Sequence, residues 1–265
     1  MSLRDLNSWL SATRGLRTRN RILFSSIDST NGFGKRIAAD YQRSMDDLPT
    51  TLVLAMEQTA GRGRLGNFWV SPPGGIYISM VCPLPGSESL PMLPMRVATV
   101  LCRELDSILD GPCRVKWPND LMVDGKKIAG ILIETVGKGA DLTAIIGLGI
   151  NYSSDLSESV PTATAVSLET RSAPAIESVA GQVIRALEDI LLESPGTAEV
   201  AAEYSRWSLH EAGQEIRCRT VGDNYIGEFL GFDELGFLRV RTATGEELIA
   251  AGEIIEGEEV RRYES

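Results

Sequence analysis

The sequence predicts an α+β protein, a mixed β-sheet flanked by helices and followed by a small C-terminal β-barrel. Three observations lead there. Short β-branched runs alternate with helical repeats as far as about residue 210. Within that region LMV and KIAGILIE flank Asp124 and Gly125, a two-residue hairpin signal. Beyond Gly213 the texture changes to short alternating segments separated by GD, DELG and TG turns. The chain is therefore expected to divide into residues 1–210 and 211–265.

Taken in order, the first twenty residues read as a short helix with Leu3, Leu6 and Leu10 on one face. RILFSSI is a strand, and DST then offers Ser29 or Thr30 as the N-cap of a helix reaching about Tyr41. TTLVLAM is a second strand, followed by the glycine loop GRGRLG (61–66). GGIYISMVC is a third strand. Leu93, Val97, Leu101, Leu105 and Ile108 keep helical spacing, with Pro94 near the first turn. RVKW is a strand ended by PND, and LTAIIGLGINY another. Ile176, Val179, Val183, Leu187 and Ile190 trace one face of an amphipathic helix, and a further helix carries Ala201 to Trp207. QEIRCRT, YIGEFLGF, GFLRVRT and EELIAAG supply the strands of the small barrel.

Composition narrows the function. The formal charge of −10 argues against general affinity for nucleic acid or anionic lipid. From Glu211 onward six Arg and no Lys stand against thirteen Asp and Glu. Four cysteines show no CxxC spacing and His210 is the only histidine, which excludes zinc-finger and His-based metal sites. No apolar run reaches membrane-spanning length and no signal-peptide core is present, so a cytoplasmic protein is expected.

Four segments concentrate polar chemistry. In GRGRLG the glycines let backbone N–H groups approach an anion, and Arg62 and Arg64 add donor forks; a plain surface turn would look the same. KWPNDL sets Lys116, Asn119 and Asp120 at a strand end, fit to grip a triphosphate and its Mg²⁺ or simply to turn the chain. KKIAGILIE places Lys127 at the mouth of a buried strand. GLGIN ends another on Asn151, whose amide can read a base edge or cap a turn.

Together and in order, DSTN (28–31), QTAGRGRLG (58–66), KWPNDL (116–121), KKIAGILIE (126–134) and GLGINY (147–152) resemble the biotin protein ligases. The resemblance is strong over residues 21–152 and continues more loosely to the C-terminus. It implies the catalytic core shared by biotin and lipoate ligases, related to class II synthetases, with an SH3-like barrel behind it. It implies biotin as substrate, ATP and Mg²⁺ as cofactors, and biotinyl-5′-AMP as the intermediate. It also implies transfer to a lysine of the biotin carboxyl carrier protein of acetyl-CoA carboxylase, and relatives can pair sheets edge to edge as homodimers.

By the same resemblance Ser29, Thr30, Asn31 and Gln58 would meet the biotin ureido ring. Gly61, Arg62, Gly63 and Arg64 would close over biotin and the adenylate, with Arg64 on the reacting oxygens. Lys127 would be the chief catalytic cation, joined by Arg64 and Lys116, and Gly130 would leave room for the ligand. Lys116, Asn119 and Asp120 would serve the pyrophosphate side, Asp120 through Mg²⁺, while Trp69 and Asn151 would hold adenine. Asn67 and Phe68 stand where many relatives carry a basic pair. Some relatives begin with a DNA-binding domain; the twenty residues before the core are too few for one, so no specific DNA binding is expected. A lipoate–protein ligase and a non-catalytic biotin sensor are the alternatives. No chemistry motif lies beyond Asn151, so the C-terminal unit is expected to support transfer more than activation.

Overall fold

The structure, a computed structural model, describes residues 8–9, 11–18, 20–84, 90–153, 160–193 and 195–255. Leu3, Leu6 and Leu10 of the expected first helix lie outside the described residues, while residues 8–9 and 11–12 are helical.

Seven strands form the main sheet: β1 (Asn20–Phe24), β2 (Thr51–Ala55), β3 (Gly75–Pro83), β4 (Cys113–Lys116), β5 (Asp120–Val123), β6 (Lys126–Val136) and β7 (Thr143–Asn151). Their spatial order is β1-β2-β3-β7-β6-β5-β4. Only β1 and β2 run parallel, so the sheet is mixed, as the sequence predicts. The parallel pair needs a crossover, supplied by α1 (Thr30–Ser44). At the hairpin joining β5 to β6, Asp124 and Gly125 both hold positive φ, at 47° and 73°, the requirement of a type I′ turn.

Ser29 is the N-cap of α1: its extended backbone (φ −160°, ψ 131°) lets Oγ accept from the Gly32 N–H at 3.2 Å. Such a cap contributes about 1 kcal/mol and aims the first turn of α1 across the sheet. Strand alternation then sorts the two faces. Val53, Val81 and Ile145 pack with Ala38 beneath α1. Leu52, Leu54, Met80, Ile146 and Leu148 join the larger core on the other face, with Leu101 and Leu105 of α2 (Leu93–Asp106) and Val183 and Leu187 of α3 (Ile176–Leu192). The helix α4 spans Thr197–Trp207, starting four residues earlier than the sequence suggested.

The C-terminal part is an antiparallel five-stranded sheet of β8 (Glu215–Arg219), β9 (Asn224–Phe232), β10 (Leu238–Thr242), β11 (Gly245–Ile249) and β12 (Glu253–Ile255). Its order is β11-β10-β9-β8-β12, and its two edges are not hydrogen-bonded to each other among the described residues. The strand β12 has no counterpart in the sequence reading. Tyr204 of α4 meets Phe232 edge-on at 4.9 Å, and the Leu209 N–H donates to the Val115 carbonyl at 2.8 Å. Phe229, Leu238 and Val240 share one apolar cluster with Tyr204 and Val115, so the small sheet packs on the main core.

Candidate active site

One cavity of about 110 Å³ opens on the α1 face of the main sheet. Its inner end is polar and buried. The Thr30 N–H and hydroxyl both donate to Gln58 Oε1, at 2.8 and 3.1 Å. The Ser79 hydroxyl lies 2.8 Å from Thr30 Oγ1 and 2.6 Å from Asn31 Oδ1. Gln58 Nε2 donates to Ser71 Oγ at 2.9 Å, fixing which way that amide faces. Asn31 Nδ2 donates to the Leu132 carbonyl and to Glu134 Oε2, both at 3.1 Å. Ser29, Thr30, Asn31, Ser71 and Ser79 are all buried, so this network is fixed before any ligand enters.

The outer end is cationic. Lys127 Nζ pairs with Asp120 Oδ2 at 2.7 Å, and each side chain keeps some exposure toward the cavity. Arg64 Nη1 donates to Asn119 Oδ1 at 3.3 Å and to the Gly252 carbonyl at 3.1 Å. Burial lowers the Arg64 pKa from its usual value, with Asp120 and Glu253 opposing that shift. Arg62 lies half-exposed 3.9 Å from Glu134 Oε1. The loop carrying both arginines closes on itself: the Gly63 N–H donates to the Asn67 carbonyl at 2.7 Å and the Trp69 N–H to the Gly61 carbonyl at 3.0 Å. Leu65 holds φ 53° at its tip, where Leu65 and Phe68 are exposed.

Between the two ends the sheet carries no side chains. Gly130 of β6 lies opposite Gly149 of β7, and a Cβ on Gly149 would stand 2.4 Å from Trp69 Nε1. The indole fills the space these glycines leave, with Lys127 Nζ 5.1 Å from its ring centre. Trp69 Nε1 and Asn151 Oδ1 are buried and have no hydrogen-bond partner among the described residues. Native interiors seldom leave such groups unpaired.

A fixed polar pocket, a glycine floor and a cationic rim in one cavity suit a small carboxylic acid brought against a phosphate. The Biotin/lipoate A/B protein ligase family matches residues 23–151, and the Biotin protein ligase C terminal domain matches residues 212–256. The biotin–[acetyl-CoA-carboxylase] ligase of Paracoccus denitrificans is 30% identical over 251 residues, covering 89% of this chain and 100% of that relative. The chain belongs to the biotin protein ligases. The bifunctional ligase/repressor BirA of Bacillus spizizenii is also 30% identical, and 65% of its length is covered. Among solved structures, the biotin protein ligase from Aquifex aeolicus in complex with biotin and ATP matches with TM-score 0.73 at 27% identity, over 89% of this chain and 98% of that one.

Set on this member of the family, Ser29, Thr30, Asn31, Gln58, Arg62, Gly63, Arg64, Trp69, Asn119, Asp120, Lys127 and Gly130 all line the one cavity. Three expected residues do not. Gly61 is buried behind the loop, where a Cβ would meet the Trp69 carbonyl at 2.3 Å. Asn151 is buried, its Nδ2 donating to the Lys127 carbonyl at 3.3 Å. Lys116 lies on β4 opposite Asp120, one strand further from Gly130, and is buried at the end of that row. The space above Gly130 holds the Trp69 ring. Sequence reasoning missed Ser71, Ser79, Glu134, Gly149 and Glu253. Gly149 and Glu134 sat inside quoted motifs, whereas nothing local marked the others.

No group of three His, Cys, Asp or Glu that could hold a metal occurs among the described residues. No helix there is long and apolar enough to cross a membrane.

Proposed function

We infer that the protein is an ATP-dependent biotin–protein ligase. The observation that carries this reading is one cavity in which the buried Ser29, Thr30 and Asn31, with Gln58 beside them, meet Arg62, Arg64 and Lys127. A ureido ring presents one carbonyl acceptor and two N–H donors, and the hydroxyls and fixed amides at the inner end complement both. The dithiolane of lipoate offers no such groups, so it would leave these buried groups unpaired, a costly mismatch.

A biotin carboxylate oxygen attacks the α-phosphorus of ATP, and the bond to the β-phosphate oxygen breaks to release pyrophosphate. Two anions must approach for this, and Lys127 and Arg64 neutralise them in a partly desolvated site. Lys127 leaves Asp120 to reach the reacting oxygens. The neutral ε-amine of an acceptor lysine then attacks the acyl carbon of biotinyl-5′-AMP. AMP departs with the bonding pair, the amine proton is lost and an amide remains. His210 is buried and lies outside the cavity lining, and neither step needs it. Adenine fits the Trp69 ring at the cavity wall.

Mg²⁺ typically keeps one or two protein carboxylates and takes its other ligands from phosphates and water, so an ion carried on the triphosphate fits Asp120 as its protein ligand. When bound it screens the charge of the leaving pyrophosphate. The acceptor in this reading is the lysine of a biotin carboxyl carrier protein, and the place of action is the cytoplasm.

The test is incubation of purified protein with biotin, ATP and Mg²⁺ while pyrophosphate is followed. Biotin-dependent release is expected. Release with lipoate instead would make the protein a lipoate ligase, and binding of biotin without release would make it a sensor.

A further inference from the structure

Glu134 ends the KKIAGILIE segment and belongs to no part of the chemistry described so far. It stands on β6 two residues beyond Leu132, and its carboxylate gathers three groups from other elements. Lys35 Nζ of α1 lies 2.6 Å from Oε1, Arg62 of the glycine loop lies 3.9 Å from the same oxygen, and Asn31 Nδ2 lies 3.1 Å from Oε2. Burial raises its pKa, yet the hydrogen bonds from Lys35 and Asn31 outweigh that and hold it below the usual carboxylate range, so it is ionised at neutral pH.

An ionised carboxylate only accepts hydrogen bonds. The Leu132 carbonyl on the other side of the Asn31 amide is likewise only an acceptor. Between them they take both Nδ2 protons, and a flipped amide would set three oxygens against one another. Asn31 Oδ1 is therefore turned toward Ser79, as an acceptor, on a residue that lines the cavity.

We propose that Glu134 is a positioning residue for biotin: it fixes the Asn31 amide so that Oδ1 accepts a ureido N–H. The proposal rests on the biotin-ligase reading. A glutamine at 134 keeps the size but loses the charge. Its amide can either donate or accept, so the Leu132 carbonyl alone is left to enforce the Asn31 orientation.

The experiment measures biotin affinity by calorimetry without nucleotide, and steady-state pyrophosphate release, for the wild type, Glu134→Gln, Asn31→Ala and the double variant. Glu134→Gln should weaken biotin binding at least about tenfold, with kcat and the KM for ATP within about threefold. The double variant should bind no more weakly than Asn31→Ala alone, because one residue acts through the other. A change in biotin affinity below twofold, or additive losses in the double variant, would overturn the proposal. An equal fall in kcat and in ATP affinity would also overturn it, since general damage to the fold would act that way. Should Glu134→Gln fail to fold, Glu134→Asp answers by the same criteria, because it keeps the charge but shortens the reach. A wild type that neither binds biotin nor releases pyrophosphate sinks the ligase reading and the proposal together, whereas an active wild type with an unaltered variant sinks only the proposal.

Discussion

Arg64 Nη1 donates to the carbonyl of Gly252 at 3.1 Å, across 188 positions of sequence. The contact ties the glycine loop to the residue just before β12, while Glu253, the first residue of that strand, joins the cavity wall. The cationic rim is therefore built from both parts of the chain. Asn119 holds the same guanidinium nitrogen from the β4–β5 turn, so Arg64 is fixed from two sides.

In the proposed reaction Lys127 meets the reacting oxygens, and at rest it pairs with Asp120 in the cavity wall. Lys127→Ala should slow biotinyl-AMP formation about 10²-fold or more, the usual loss for one positioned donor at a developing charge. The melting temperature should change little, because a partly exposed ion pair contributes at most about 1 kcal/mol. Single-turnover pyrophosphate release checks this, and an undiminished rate would remove Lys127 from the chemistry.

Gly149 tests the floor of the nucleotide side. Its Cβ would lie 2.4 Å from Trp69 Nε1 and 2.5 Å from Cε2, closer than side chains pack. Gly149→Ala should push the indole off the sheet and raise the KM for ATP at least about tenfold. Biotin affinity measured without nucleotide should fall less, since the Thr30, Asn31 and Gln58 contacts stay in place. A KM for ATP within twofold of wild type would show that the ring does not serve the nucleotide.

The four cysteines give a prediction independent of ligands. All are free and buried. Burial pushes the Cys82 thiol up to about 12 and the Cys218 thiol to about 11, and Cys102 rises through its contact with Cys113 and its own burial. At pH 8 a thiol with a pKa of about 12 is ionised in only about one molecule in 10⁴. A chromogenic disulfide reagent should therefore label essentially none of the four in the native protein and all of them after denaturation. Rapid native labelling of any one would show that its part of the core opens.

Much of this was legible in the sequence because the signals are local. The Asp124–Gly125 hairpin, the Ser29 cap and the long helix from Ile176 each rest on a few adjacent residues. Ser79 was not legible: it sits among Ile78 and Met80 in a buried strand, and only the approach of α1 turns its hydroxyl into part of the pocket. Lys116 shows another limit: the KWPND motif marks it, yet it is buried at the end of its row and does not line the cavity wall. The Arg64–Gly252 contact depends on how the two sheets pack, which no short stretch encodes.

That contact also bears on an expectation drawn from the motifs, that the C-terminal unit serves transfer more than activation. Arg64 is held by one side-chain acceptor and one backbone acceptor, and the second moves if the start of β12 moves. A Cβ on Gly252 would meet the Arg219 carbonyl at 2.6 Å, a backbone atom that cannot swing aside. Gly252→Val should therefore displace the Gly252 carbonyl and leave Arg64 held only by Asn119. In the proposed reaction the guanidinium neutralises charge in the first half-reaction, where carboxylate and triphosphate would meet, and would be needed less once the mixed anhydride exists. Adenylate formation should fall about tenfold, with transfer from preformed biotinyl-AMP within about threefold of wild type. Both rates are measured on protein whose melting curve still shows one cooperative transition. A larger loss in transfer than in adenylation would return the C-terminal sheet to the second step and reduce the Arg64 contact to packing.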